Sequence, residues 1–354
     1  MHMPKASRST SVPVVAPRRR SSGQATLGDV AARAGVAPIT VSRFIRDPRQ
    51  VSDELRTRIE MAVAELEYVP NRIAQGLAGS HSSAVVAIMP SLAHSVFAQT
   101  LHVLTQHLQQ YGYQILLGNS GYSLAQEEDL LRTFLNWRPA ALVLTGHNHT
   151  QGTAKLLAQL KVPVIETWDI NARSPYFQVG FSHLHAGAAM ADYLLDRGYR
   201  RVAYVHNCLV EDLRSAERGR GYSRALEKRG ERPLIVEARG DTPFEAGGAA
   251  LCALMRQKRR PDAIFFANDN IATGAVLEAQ RQGWRVPDDI AIAGFGGFPI
   301  AEQLVPALTT LQPLHQQIGE IAAGIILQHY GQGHGDQVER RVDVGFEIAR
   351  RESA

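Results

Sequence analysis

From residue 84 to the end, the sequence alternates between two kinds of segment, and no other feature constrains the fold as tightly. Apolar runs of strand length, rich in Val, Ile and Ala, occur at 84–89, 114–117, 140–144, 163–165, 202–205, 234–237, 262–267 and 289–293. Helical stretches separate them at 97–111, 124–136, 183–197, 214–229, 244–258 and 270–282. Strands that are apolar on both faces need cover on both faces, so the pattern predicts parallel sheets sandwiched between helices. About 270 residues with this many strands exceed one sheet's worth of core and predict two such subdomains. Ligands of such folds sit beyond the carboxyl ends of the strands, in the crevice between the subdomains.

The N-terminal part follows a different rule. Leu27, Val30, Ala31 and Ala34 fall on one helical face, with Thr26 as N-cap and Asp29 in the first turn. Gly35 ends that helix, and Pro38 suits the first position of a second, which runs through Thr40, Val41, Ser42, Arg43, Phe44 and Ile45 before Pro48. Ser52 caps a third, with Leu55, Ile59, Ala62, Val63 and Leu66 as its buried stripe. Three short helices with a tight glycine turn between the first two form a helix-turn-helix pattern. Its second helix would present Pro38, Ile39, Thr40, Ser42 and Arg43 outward and turn Val41 and Phe44 to the core. Arg43 is the candidate for bidentate pairing with guanine, while Arg46 and Arg49 suit phosphates.

Charge supports contact with a polyanion. The formal net charge is +4, yet residues 1–23 alone carry five basic and no acidic residues. Residues 24–79 balance seven arginines against seven acids, leaving the larger C-terminal part near neutral. The 1–23 segment is rich in Ser, Pro and Arg and lacks periodicity, so it is expected to be disordered. It also lacks an apolar core of the kind a secretory signal needs, and no apolar run is long enough to span a membrane. With only Cys208 and Cys252, a disulfide framework is not expected, and a reducing cytoplasm is.

The motifs Thr26-Leu27-x-Asp29-Val30-Ala31-x-x-Ala34-Gly35-Val36, Thr40-Val41-Ser42-Arg43, Val51-Ser52, Tyr68-x-Pro70-Asn71 and Ala74-x-x-Leu77 resemble the headpiece of the LacI/GalR family of bacterial repressors. The resemblance runs from about residue 26 to the end. It implies an all-α helix-turn-helix headpiece (24–69), a hinge helix or linker (70–83) and a periplasmic-binding-protein-like α/β sensor of two parallel-sheet subdomains (84–354). These subdomains would comprise 84–181 with 313–340, and 182–312 with 341–354. It further implies a homodimer on near-palindromic operator DNA, with Asn71 in the hinge and Leu77 as the apolar wedge in the minor groove. Thr26 joins the DNA-binding set on the same ground. Two departures are visible: Ala37 cannot cap the recognition helix, and Pro38 and Ile39 replace polar readers, which shifts the burden to Arg43 and to contact with thymine methyls.

In the sensor, the resemblance implies effector contacts at Arg218, Asn268 and Phe181, with Ser91 and Phe97 in the first strand–helix loop. It also implies a carboxylate at Glu166 or Asp169, the spacing leaving both open. The turn Gly294-Phe295-Gly296-Gly297 lacks the acid that the family often carries there, which places Gly296 in the candidate site. With Arg218 kept, the pocket favours an anion. Ser42-Arg43-Phe44, Val179-Gly180-Phe181 and Ile292-Ala293-Gly294-Phe295-x-Gly297 look most like the family's gluconate-utilisation repressors, so the expected effector is a sugar acid, gluconate or a ketogluconate. A neutral sugar or a purine is the alternative. From other classes, a sugar-binding protein would lack the headpiece. An α/β enzyme is disfavoured because Gly294–Gly297 lacks dinucleotide-binding spacing and no nucleophile elbow is present. His147-x-His149 and His183-x-His185 are weak metal pairs without a third ligand; no metal and no cofactor are expected.

Overall fold

The computed structural model describes residues 25–69, 82–92, 95–207, 212–332 and 339–354. The expectations for the basic tail, for Asn71 and Leu77 in the hinge, and for Cys208 lie outside the described residues. The chain divides into two compact units, 1–72 and 73–354, and each is described by itself.

In the first unit, helices α1 (Leu27–Ala34), α2 (Pro38–Arg46) and α3 (Asp53–Glu65) enclose a small core of Val30, Ala31, Ala34, Val41, Ile59, Ala62 and Tyr68. The signals that end each helix act as the sequence suggests. Thr26 and Asp29 form a reciprocal capping box, which satisfies two of the four donors a helix start leaves open. Gly35 closes α1 in the left-handed conformation, at φ +65°. A β-carbon there would be strained, and it would also meet the Arg58 guanidinium, which donates to Ala34 O at 2.5 Å and ties α3 to this turn. Ala37 makes no side-chain cap, and Pro38 opens α2.

The second unit contains two six-stranded sheets. The first is built from β1 (Ala84–Met89), β2 (Gln114–Asn119), β3 (Ala141–Thr145), β4 (Val164–Thr167), β5 (Phe177–Gly180) and β11 (Arg341–Asp343). Their order is β11-β5-β4-β3-β1-β2 and all are parallel. The second uses β6 (Val202–Asn207), β7 (Leu234–Ala238), β8 (Ala263–Phe266), β9 (Ala291–Phe295), β10 (Thr309–Pro313) and β12 (Phe346–Ala349). Its order is β12-β10-β9-β8-β6-β7, with only β12 antiparallel. The chain thus crosses between sheets after β5, after β10 and after β11. The last crossing corrects the sequence reading. Residues 341–343 pair with Gln178, Val179 and Gly180 of the first sheet, so the boundary lies between 343 and 346 rather than at 340.

Helices α4 (Ser95–Gln109), α5 (Leu124–Leu135), α6 (Gln151–Ala158) and α12 (His315–His329) cover the first sheet. Helices α7 (His183–Asp196), α8 (Leu213–Lys228), α9 (Pro243–Met255), α10 (Asp269–Gln282) and the short α11 (Ile300–Gln303) belong to the second. Two pairs, α7 with α8 and α9 with α10, cross in backbone contact. A β-carbon on Gly187 of α7 would lie 1.9 Å from Arg218 O of α8, and one on Gly221 would lie 1.9 Å from Leu184 O. Only glycine permits that approach, and the approach fixes the height at which α8 carries Arg218. No described helix is long and apolar enough to cross a membrane.

Candidate functional site

The carboxyl ends of both sheets face one cleft, as strand order in open α/β sheets requires. Its first compartment is lined by Val96 and Phe97 after β1, Tyr122 after β2, Trp168 after β4 and His183 after β5. The opposite side supplies Asp212, Arg214 and Arg218 at the start of α8, Ala267 and Asn268 after β8, and Phe295 and Phe298 around the β9 turn. A second compartment shares Tyr122 and Arg214 with the first and adds Pro90, Ser120, Ser123, Glu127, Thr145, Asn148 and Asp169.

Arg218 is almost fully buried and held on three sides. Its Nη1 donates to His183 Nδ1 at 3.0 Å, its Nη2 donates to Ala267 O at 3.0 Å, and its guanidinium lies 3.8 Å over the Phe295 ring. The His183 tautomer follows from its neighbours: Nε2 donates to Trp168 O at 3.0 Å, leaving Nδ1 to accept. Burial first, and the Arg218 charge second, push the His183 pKa down to about 3, so the ring is neutral and serves to orient the arginine. Among the described residues, two buried donors of this compartment have no hydrogen-bond partner: Arg218 Nε and Trp168 Nε1. Such groups cost on the order of 1–3 kcal/mol each when left unmade.

The aromatic wall is strained. Tyr122 and Trp168 adopt left-handed backbone angles, φ +66° and +72°, a region that costs a bulky side chain on the order of 1–3 kcal/mol. Trp168 packs edge-on against Phe97 at 5.0 Å and against Phe181 at 6.3 Å, which holds its indole in place. Burial, helped by Asp212, pushes the Tyr122 phenol well above its ordinary value, so it stays protonated.

Acids and histidines define the second compartment. Burial alone would raise the Asp169 carboxyl, but His147 first and Arg214 after it outweigh burial and hold the group below the usual carboxylate range. His147 Nδ1 lies 3.0 Å from Asp169 Oδ2, though without hydrogen-bond alignment. Behind it, His149 Nδ1 meets Glu127 Oε1 at 2.7 Å while Nε2 lies 3.5 Å from Glu166. Burial opposes the His149 charge, but the two carboxylates prevail and raise its pKa to about 9. Gln178 donates its amide to Glu166 at 2.6 Å.

The residues expected from sequence therefore separate. Phe97, Arg218 and Asn268 meet in the first compartment, and Asp169 lines the second. Asn268 also caps α10 by accepting from Ile271 N. Three expected residues lie off the lining. Glu166 faces inward from β4 to His149 and Gln178, so of the two acids Asp169 is the one that lines a compartment. Phe181 lies beneath the lining, packed on Trp168, His183 and Phe295. Gly296 lies outside the lining as well. Its φ of +132° and the Phe298 ring, 2.3 Å from where its β-carbon would stand, show that it makes room for Phe298. Ser91 neighbours Pro90 but lines neither compartment. Sequence reasoning missed Arg214, Trp168, His183, Tyr122 and Phe298. Of these, Arg214 carried a signal: it stands four residues before Arg218, on the same helical face. The histidine pairs do not converge, since His183 is buried on Arg218 and His185 is exposed. Among the described residues no group of three or more His, Cys, Asp or Glu could hold a metal ion.

On the headpiece, α2 exposes Pro38, Ile39 and Arg43, half-buries Thr40 and Ser42, and buries Val41, with Phe44 packed against the core. Ile39 is 60% exposed, more than a core function allows. Arg49 ion-pairs with Asp47 at 3.1 Å. The position of the Arg46 side chain lies outside the described residues.

The comparisons with known proteins agree with this architecture. Residues 26–71 match the model of bacterial regulatory proteins of the lacI family, and residues 191–354 match a periplasmic binding protein-like domain. The HTH-type transcriptional regulator GntR of Pseudomonas aeruginosa is 38% identical over 337 residues, spanning 94% of this chain and 97% of the relative. Escherichia coli K12 regulators GntR and IdnR are 35% and 30% identical, each over 91% of this chain and 96% of their own length. A LacI-family regulator from Silicibacter pomeroyi superposes with a TM-score of 0.86 at 31% identity, covering 93% of this chain and 99% of that one. The lac repressor dimer bound to operator and an anti-inducer gives 0.79 at 25% identity, covering 93% and 99%. Fold and site together define a ligand-sensing DNA-binding protein. The chain belongs to the LacI family and is a DNA-binding transcriptional regulator of that family.

Proposed function

We propose that this regulator is a repressor of sugar-acid catabolism whose effector is gluconate or a ketogluconate, and that it binds near-palindromic operator DNA as a homodimer. The observation that carries the reading is two arginines lining the first compartment, Arg214 and Arg218, with Arg218 Nε and Trp168 Nε1 buried and without a partner among the described residues. Buried N–H groups on residues that line one space favour an acceptor-rich ligand, and a carboxylate supplies the charge that two guanidinium groups favour. Hydroxyls along the rest of the molecule suit the acids and amide of the second compartment, Asp169, Glu127 and Asn148.

Arg43 reads guanine from the exposed face of α2, while Ile39 meets thymine methyls. Arg46, Arg49, Ser42 and Thr40 contact the backbone or neighbouring bases, and Thr26 holds the first helix against phosphate. Exposed Leu277 on α10 and Val305, whose carbonyl accepts from Gln280, offer apolar surface to a second copy. Effector binding favours one closure state of the cleft, alters the spacing of the two hinges and releases the operator. The protein acts by binding and not by catalysis.

The test is calorimetry with gluconate, 2-ketogluconate and glucose. Binding of a sugar acid with glucose at least tenfold weaker is the expected result. Equal binding of gluconate and glucose would sink the anionic assignment, and binding by none of the three would redirect the search to purines and other sugars.

A further inference from the structure

Arg214 has no counterpart among the sequence expectations, yet with Tyr122 it borders both compartments, and it reaches from one wall to the other. It leaves α8 in the second subdomain and crosses to the first, where Nη1 donates to Thr145 O at the long distance of 3.4 Å. Its guanidinium lies 5.7 Å from the Phe97 ring and 5.7 Å from the Tyr122 ring. We propose that Arg214 is the specificity-determining residue for effector charge: a bound carboxylate bridges Arg214 and Arg218 and draws the two subdomains together. The assignment rests on the sugar-acid reading of the cleft and adds to it which residue selects the acid over its neutral analogue.

The charges in the first compartment decide the point. Arg218 shares the compartment with Asp212, which is buried and caps α8 by accepting from Ser215 N. His183 is neutral. With these groups alone the compartment has no net charge, and Arg214 is what makes it cationic. The two arginines also differ in freedom. Arg218 is locked by His183, Ala267 and Phe295, so it can fix a ligand atom in place but cannot follow a moving wall. Arg214 is held by a long hydrogen bond to Thr145 O, by the Tyr122 side chain and by the Phe97 ring, all on the opposite subdomain, and a guanidinium has five donors to offer. Side chains four apart on a helix stand about 5–6 Å from each other at their β-carbons, a spacing one carboxylate can bridge. Position argues the same way. Arg214 sits in the first turn of a 16-residue helix, where a cation is opposed by the helix dipole. A locally unfavourable charge facing a cleft marks function.

The experiment compares wild type, Arg214→Gln and Arg214→Lys by calorimetry with gluconate and with its uncharged analogue glucitol, each variant first checked by thermal melting. Arg214→Gln is expected to weaken gluconate about 30-fold while leaving any glucitol affinity within about threefold, and Arg214→Lys to recover most of the loss because it restores the charge. If wild type binds gluconate and Arg214→Gln binds it equally well, the role of Arg214 is overturned while the sugar-acid reading stands. If Lys and Gln lose affinity alike, charge is not what the position supplies, and the assignment again falls. A wild-type protein that binds no sugar acid overturns the reading beneath it.

Discussion

The two walls of the cleft carry opposite chemistry. The wall from the second sheet offers Arg214, Arg218, Asn268, Phe295 and Phe298, a cationic and aromatic surface built on one helix start and two strand ends. The wall from the first sheet offers Ser120, Glu127, Thr145, Asn148 and Asp169, hydroxyls and acids backed by the His147 and His149 network. A symmetric ligand would have no use for that difference. The asymmetry fits a molecule with an acid at one end and hydroxyls along the rest, and it fixes the direction in which such a molecule lies.

Removing the cationic wall should have the largest effect. Arg218→Ala leaves Asp212 facing Arg214 alone and strips the donors from His183 Nδ1 and Ala267 O. Effector affinity measured by calorimetry is expected to fall at least about 100-fold, in keeping with the loss of a buried charged partner. Retained affinity would show that the ligand sits elsewhere. A subtler break moves the wall without altering its chemistry. Gly187→Ala places a methyl 1.9 Å from Arg218 O, so α8 must shift or the pair must separate. The expected cost is about 2–4 kcal/mol in denaturant unfolding, with weakened effector binding in whatever protein folds.

The acidic wall should reveal itself through pH. The His149 pKa is raised to about 9 in the folded protein against about 6.5 unfolded, so folding tightens the proton. Its stabilising contribution is complete below about pH 6.5 and is lost as pH rises through about 9; at most it amounts to about 3 kcal/mol. Unfolding free energy of wild type should therefore fall across that window, and His149→Gln should flatten the fall. An unchanged profile in the variant would remove His149 as its cause. The smallest effect expected is from Asp169→Asn, which keeps a hydroxyl acceptor but loses the charge. Gluconate affinity should drop about fivefold or less, and a larger loss would mean that the acid holds more than a hydroxyl.

How much of this was legible in the sequence differs between regions for a physical reason. In the headpiece, function depends on residues adjacent in sequence. Thr26, Asp29, Gly35 and Pro38 set the helix ends by local rules, and the exposed face of α2 follows from its period. In the sensor, period and composition revealed strands such as 84–89 and 202–205, buried on both faces. They missed β10, with its Thr-Thr-Leu-Gln-Pro sequence, and the short β5, β11 and β12, whose strand character comes from neighbours rather than from their own residues. The cleft was harder still. Arg218 and Asn268 were found by resemblance, whereas Trp168, Tyr122 and His183 matter because distant segments meet there. The strained angles at Trp168 and Tyr122 have no local sequence cause. Gly296 shows the reverse case: the missing acid is visible in the sequence, whereas the Phe298 ring packed against that glycine appears only in the fold.

The asymmetry of the cleft fixes the orientation of the ligand, and a crystal structure of the gluconate complex would display it. The expected result is the carboxylate within about 3 Å of the Arg218 and Arg214 guanidinium groups, with the polyol chain directed to Asp169 and Asn148. A carboxylate on the Asp169 side, with the hydroxyls on the arginines, would contradict it.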